Sequence, residues 1–237
     1  MKRKYLAIGL FVFIGLLAKP AFAHREDYIG ETLVFQTLEK GATEPEYWLD
    51  IGRRKQDGVF VRHTVAVEHG ITGHWMVDGN VAFKSVSGKH PEFEAGRVET
   101  RLRFAGEGDY PVDTAFSFEM NREQEEDGTF ATHAEPRLVL SKDLDAWNLN
   151  FTLNIPLEVN VKTGETALIP SGGFRFDVSH LIQLGTEARY DIDTHEGSVI
   201  PQIWFRFGHD ITLKGGYFIG FDQSPDNYAR LAAEFDF

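Results

Sequence analysis

The 237-residue chain contains no cysteine. Disulfides, thiolate zinc sites, iron–sulfur clusters and cysteine nucleophiles are therefore excluded. Positive charge is scarce, with 24 Lys and Arg against 36 Asp and Glu, a net of −12. Four of the basic groups (Lys2, Arg3, Lys4 and Lys19) sit in residues 1–23, which hold no acid, so the rest of the chain is more acidic still. A nucleic-acid partner is excluded, because phosphate neutralisation needs basic surface. Long apolar runs are also missing. After residue 23 the longest stretch without Asp, Glu, Lys or Arg is Ala146–Leu157, well short of the ~20 apolar residues of a spanning helix. Helical periodicity is almost absent throughout.

Residues 1–23 carry an export pattern. Lys2, Arg3 and Lys4 form a positive start, an apolar run follows from Tyr5 to Leu17, and Ala21-Phe22-Ala23 fits small-residue cleavage before His24. The apolar run is too short to remain as an anchor. The segment reads as a cleaved signal peptide.

What fills the remainder is alternation with a period of two. Trp147, Leu149, Phe151, Leu153, Ile155 and Leu157 share one face, while Asn148, Asn150, Thr152, Asn154 and Glu158 share the other. In Val112–Met120, Phe116, Phe118 and Met120 oppose Asp113, Ser117 and Glu119. A soluble sandwich alternates too. These runs, however, are about 9–11 residues long, the length that crosses a bilayer at a tilt, against roughly 5–6 in soluble sheets. Their polar face is dense in charge, as in a membrane barrel with lipid outside and a polar lumen inside. Backbone groups in lipid must all be paired, so such a sheet has to close on itself. The expected fold is all-β, an antiparallel transmembrane β-barrel of about 12 strands, with 10–14 allowed. Strands are expected near 46–54, 59–68, 74–84, 94–105, 111–121, 132–141, 147–158, 171–178, 182–192, 198–207, 211–221 and 228–237. Short connections at His69–Gly73, Gly106–Tyr110, Lys142–Ala146, Ser179–Leu181 and Gly208–Asp210 alternate with longer polar ones, the layout of periplasmic turns and outer loops. The organisation is thus a signal peptide over 1–23, a periplasmic arm or short plug over 24–45, and a barrel over 46–237. Tyr28–Leu38 could instead supply one more strand.

The last nine residues, Ala229 to Phe237, place apolar side chains at the final position and every second position before it. This end resembles the C-terminal assembly signal of Gram-negative outer-membrane barrels, with Phe235 and Phe237 as its aromatic elements. The turn Gly70-Ile71-Thr72 followed by His74-Trp75 resembles a turn common in porin-like barrels. The resemblance is to outer-membrane barrels of porin-like or transporter type, as an architecture. It implies an outer-membrane address after export, lipid as surroundings and the barrel-assembly machinery as a partner.

The lumen face carries the candidate functional residues. Its basic members are Arg62, Lys84, Arg97, Arg101, Arg103, Arg137, Arg175, Arg189, Arg206, Lys214 and Arg230. Its acidic members are Glu68, Asp78, Glu99, Asp113, Glu119, Glu135, Glu158, Asp177, Glu187, Asp191, Glu234 and Asp236. Nearly balanced, these charges would either prop the barrel with salt bridges or line a polar pathway. Lumen positions such as Asn154 are expected to accept a charge more readily than lipid-facing Leu153. Five histidines (His24, His69, His74, His180 and His209) fall on the periplasmic side, on separate turns without ligand spacing. No metal or cofactor is expected. His63 falls on the apolar face, which suggests a bulge or register slip. The run Arg122–Gly128 lacks the alternating spacing of a calcium loop and reads as a solvated acidic loop. Ser179 and His180 are adjacent, and adjacent strand residues point apart, so no hydrolase site is expected. Two functions remain. One is a porin-like channel or transporter for a small polar or amphipathic solute. The other is a non-conducting barrel that anchors a periplasmic or surface partner, with 24–45 as its docking segment.

Overall fold

The computed structural model describes residues 27–30, 32–54, 58–125, 128–208, 210–222 and 227–237. The signal-peptide reading of 1–23, His24 and His209 lie outside them, as do residues 25–26, 31, 55–57, 126–127 and 223–226. Twelve long strands form the wall: β1 (Thr43–Arg54), β2 (Gly58–Thr72), β3 (Trp75–Val86), β4 (Glu92–Arg103), β5 (Asp113–Gln124), β6 (Phe130–Leu144), β7 (Leu149–Asn160), β9 (Ser171–Asp177), β10 (Ile182–Asp191), β11 (Glu196–Phe207), β12 (Ile211–Asp222) and β13 (Asn227–Phe235). A three-residue piece, β8 (Thr166–Leu168), folds back on the outer end of β7. Each strand pairs antiparallel with its chain neighbours, and β1 pairs with β13 to close the ring. Among the described residues no helix is long and apolar enough to cross a membrane. The backbone needs of the wall are met by closure.

Alternation sorts the side chains. Val65, Val81, Val98, Phe116, Phe151, Leu153, Phe174 and Leu213 are exposed on the outside. Their neighbours one residue away, among them Thr64, Glu99, Ser117, Thr152, Asn154, Arg175 and Lys214, are buried inside. This is the inverse of a soluble protein and the expected belt for lipid. Several strand ends differ from expectation: β1 starts at Thr43, β2 runs on to Thr72 and β6 spans Phe130–Leu144. A single turn of 3-10 helix over Asp145–Trp147 delays β7 to Leu149. The connection after β4 is longer, because Asp113 turns back to accept the Gly108 amide at 2.8 Å.

His63 requires no bulge. Register runs unbroken through it, from Leu49 to His63 to Phe83. Its imidazole lies on the outer face, where Nδ1 is 2.6 Å from the Tyr47 hydroxyl, so one polar group answers the other. The register shifts fall elsewhere, between Gly70 and Thr72 and between Ala82 and Phe83.

Phe235 is on the outer face at the end of β13, and Phe237 continues the pairing. Its amide donates to Thr43 O and its carbonyl accepts from Thr43 N, both at 3.1 Å. Deleting Phe237 removes both bonds at the seam where the barrel closes. Barrel yield in the outer membrane is expected to fall while export continues, read as heat-shiftable barrel per exported chain. An unchanged ratio would remove Phe237 from assembly.

Candidate functional site: a lumen filled by the chain's own N-terminal segment

Residues 27–38 run through the inside of the barrel. Tyr28, Ile29, Leu33, Val34, Phe35 and Leu38 are all nearly inaccessible. Segment backbone placed in a lumen still needs hydrogen-bond partners, and here the wall's side chains supply them. Gln202 Oε1 accepts from the Ile29 amide at 2.8 Å, and Arg230 Nη1 donates to the Ile29 carbonyl at 2.9 Å. Glu187 accepts from the Gly30 amide at 2.8 Å, the Thr32 amide at 2.9 Å and the Thr32 hydroxyl at 2.5 Å. Asn154 clamps Leu33 from both sides, accepting its N–H at 2.8 Å and donating to its carbonyl at 2.9 Å. The segment folds back, with Asp27 accepting the Val34 amide at 2.6 Å, and Arg101 ties its two limbs together. Its guanidinium forks onto Asp27 at 3.0 and 2.6 Å and donates to the Val34 and Gln36 carbonyls at 3.2 and 3.3 Å.

The segment's apolar side chains meet apolar breaks in the polar lumen. Leu33 and Phe35 pack on Ala115 and Val139. Tyr28 and Val34 pack on Trp204, with Tyr28 edge-on to the indole at 5.8 Å. Ile29 packs on Ile200 and Phe218. Two wall glycines make the approach feasible. A Cβ at Gly173 would stand 2.6 Å from the Tyr28 ring, and one at Gly216 would stand 2.7 Å from Ile29. Arg175, fully buried, lies over the Tyr28 and Trp204 rings at 5.2 and 5.9 Å.

The remaining sequence candidates divide by height. Toward the outer end, Glu94 bridges Arg62 (2.8 Å) and Lys84 (3.0 Å). Arg97 meets Asp78 at 3.2 Å and Glu119 at 3.7 Å, and Arg137 meets Glu135 and Glu119. Arg189 is exposed at the outer rim, near Glu158. At the inner end Asp177 pairs with Gln183, and Arg206 donates to Gln183 at 3.0 Å. Arg101 meets Glu99 at 3.3 Å, and Lys214 meets Glu234 and donates to the Asp27 carbonyl at 2.9 Å. Three candidates serve turns. Arg103 donates to Gly73 O at 2.7 Å, Asp113 caps its turn, and Asp191 accepts the Asp193 and Thr194 amides at 2.8 and 3.0 Å. Ser179 Oγ accepts the Leu181 and Ile182 amides at 3.3 and 3.1 Å, a turn role also.

Sequence reasoning missed several inward acids. Asp50, 1% exposed, takes Arg230 at 2.7 and 2.9 Å. Glu44 and Glu46 lie on the lumen side of β1, Asp143 and Glu123 on those of β6 and β5. Glu94 is the extra residue of the bulge between β3 and β4, which turns it inward against the simple alternation. The wall is therefore acidic rather than balanced. The apolar residues at inward positions, Ala115, Val139, Ile200 and Trp204, were a legible sign that something covers them.

Above the segment an outer vestibule of about 590 Å³ opens between β1 and β5, lined by Trp48, Arg62, Asn80, Lys84, Glu119 and Arg230 among others. Beside the segment, near Asp27, Glu46 and Lys214, about 20 Å³ remains. On the inner side a recess of about 110 Å³ is bounded by Asn150, Arg175 and Asp177.

The bonds on Glu187 make a direct test. Hydrogen bonds to a charged acceptor contribute roughly 1.5–3 kcal/mol each. Glu187→Ala removes three at once and should lower the local opening free energy of residues 29–33 by several kcal/mol. Amide exchange at Gly30 and Thr32 is expected to accelerate at least a hundredfold while β-strand amides keep their protection. Unchanged exchange would show that packing alone seats the segment.

No protein-family model and no curated protein matches the chain. Solved structures do. The KdgM porin aligns over 82% of this chain and 99% of its own, at TM-score 0.62 and 9% identity. An outer-membrane channel from Pseudomonas putida F1 aligns over 90% of this chain and 100% of its own, at TM-score 0.61 and 11% identity. Outer membrane phospholipase A from Escherichia coli aligns over 91% of this chain and 95% of its own, at TM-score 0.52 and 11% identity. The chain shares the fold of outer-membrane β-barrels, porins and channels prominent among them.

Proposed function

We propose that the protein is an outer-membrane channel for a small hydrophilic solute, closed at rest by residues 27–38. The outer vestibule carries this reading. It offers an aromatic face, Trp48, with the Arg230 guanidinium 4.8 Å from the ring centroid and Arg97 at 6.0 Å. Around it stand paired donors and acceptors, Arg62, Lys84, Asn80 and Glu94. An indole stacked by guanidiniums and ringed by polar groups suits a compact polyhydroxylated or zwitterionic molecule that hydrogen-bonds to those groups beside the ring. One of the fold's neighbours was solved as the KdgM porin in complex with disordered oligogalacturonate, which lends support to a carbohydrate-type solute. Here the acidic wall and the paired state of the cations favour a neutral or cationic solute over a polyanion. The hydrolase reading has little support, since Ser179 is engaged in its turn.

The filled lumen favours a second reading, a barrel that anchors a partner and does not conduct. Liposome swelling and single-channel recording on refolded mature chain separate the two. Rare openings, and uptake of small neutral sugars made faster by loosening the segment, support the channel. A barrel that admits no solute with the segment loosened would support the anchor.

A further inference from the structure

We infer that the outer mouth holds a divalent transition-metal site, built from Glu123, Glu125 and His133 and oriented by Glu158. It stands apart from the lumen segment and does not depend on conduction. Three neighbouring strands supply it. Glu123 comes from β5, Glu125 from the residue just beyond that strand, His133 from β6 and Glu158 from β7. One ligand atom from each of Glu123, Glu125 and His133 lies within 4.8 Å of the others.

The imidazole gives the cluster its direction. His133 is only 9% exposed, and both ring nitrogens are buried without a hydrogen bond. Nε2 faces the two carboxylates, 3.6 Å from Glu125 and 3.9 Å from Glu123. On the other side Nδ1 is 3.1 Å from Glu158 Oε1. The contact is not a hydrogen bond in this geometry, but Glu158 is the acid nearest Nδ1, and a small turn of its carboxylate would hold the proton there and leave the Nε2 lone pair for Glu123 and Glu125. This is the carboxylate–histidine–metal order of many bound ions, where the outer carboxylate fixes ring and tautomer. Ligand atoms about 2.0–2.1 Å from a tetrahedral zinc ion stand about 3.3 Å apart. The two His133 separations, 3.6 and 3.9 Å, need to close by a few tenths of an ångström, and the carboxylates, within 4.8 Å of each other, by up to about 1.5 Å, which rotation of a glutamate at a strand end and another beyond it supplies. One imidazole with two carboxylates selects a borderline cation such as Zn²⁺ over Ca²⁺, which prefers an all-oxygen shell. Two carboxylates balance its charge.

The site also lies on the rim of the outer vestibule, which Glu123 and Glu125 help to line. A bound ion would tie the outer ends of β5 and β6 together there.

The test is calorimetric titration of ZnCl₂ into the refolded full mature chain, alongside His133→Gln, Glu125→Gln and Glu158→Gln. One equivalent is expected to bind the parent protein. His133→Gln and Glu125→Gln should each weaken it at least tenfold. Glu158→Gln, which touches no metal, should weaken it by about ten- to a hundredfold through the ring alone. CaCl₂ should compete poorly. No saturable Zn²⁺ binding, equal affinity for Ca²⁺, or an undiminished affinity in His133→Gln would each overturn the site. Heat-shifted gel mobility reports whether each variant folds. Glu125 lies beyond the strand, with a side chain 46% exposed, so its variant carries the test if His133→Gln does not fold.

Discussion

Deleting residues 27–38 is expected to convert a mostly silent barrel into a steadily conducting one. Twelve strands about 4.8 Å apart and tilted about 40° close at a backbone radius of roughly 12 Å. Inward side chains some 6 Å long then leave an opening of about 12 Å. Residues 27–38 occupy that space, and the volume left beside them near Asp27 is about 20 Å³. Without them the vestibule and the inner recess should join, and single-channel conductance should rise by an order of magnitude or more. The opened pore should prefer cations. Glu44, Glu46, Glu68 and Asp78 line the wall beside the segment, and these four acids outnumber the one cation, Arg101, that loses its partner Asp27 with the segment. The preference should weaken with salt, since charges are screened within about 10 Å at 0.1 M. Reversal potentials in asymmetric KCl measure it. An anion-selective pore would contradict the acidic wall, and a deletion that stays silent would favour the anchor reading.

Leu153→Arg is expected to cost the barrel about 2–4 kcal/mol, the penalty for a basic side chain at the lipid-facing midplane. Leu153 is 45% exposed in the middle of β7, between Leu140 on β6 and Gly172 on β9. Its neighbour Asn154 faces the lumen, where alternation alone expects a charge to be tolerated. The structure revises that expectation. Asn154 is fully buried and holds Leu33 by two hydrogen bonds. Asn154→Arg should therefore leave the barrel intact and displace the segment, with faster exchange at Leu33 and more frequent openings. Denaturant unfolding from lipid vesicles distinguishes the two, because only Leu153→Arg should shift the midpoint strongly. Equal shifts would mean that β7 is in the wrong register.

Charge and polarity patterns in the chain were enough to specify the wall. The alternation of Phe116, Phe118 and Met120 against Asp113, Ser117 and Glu119 sets inside and outside for β5. The same rule places Arg97, Glu99 and Arg101 in one column. A side-chain period of two is a local property, so it can be read without knowing which strands pair. Pairing follows with little freedom, because a one-residue slip would turn every charged side chain toward lipid.

Tertiary structure decided what local patterns do not encode. Glu94 faces inward only because a bulge between β3 and β4 adds a residue. Asp50 faces the lumen by alternation, but only closure of β1 onto β13 brings its partner Arg230 beside it. Arg101, a pore charge by alternation, is an anchor for Asp27 and for the carbonyls of Val34 and Gln36. Glu123, Glu125 and His133 meet across two strands although the acidic run has no metal spacing of its own. Residues 24–45 alone fit an arm, a plug or a further strand equally well. The choice depends on lumen width and on inward side chains from β4, β7, β10, β11 and β13 that pair with the segment's backbone. Those partners lie 65 to 201 residues away in the chain, and only the closed barrel brings them to one place.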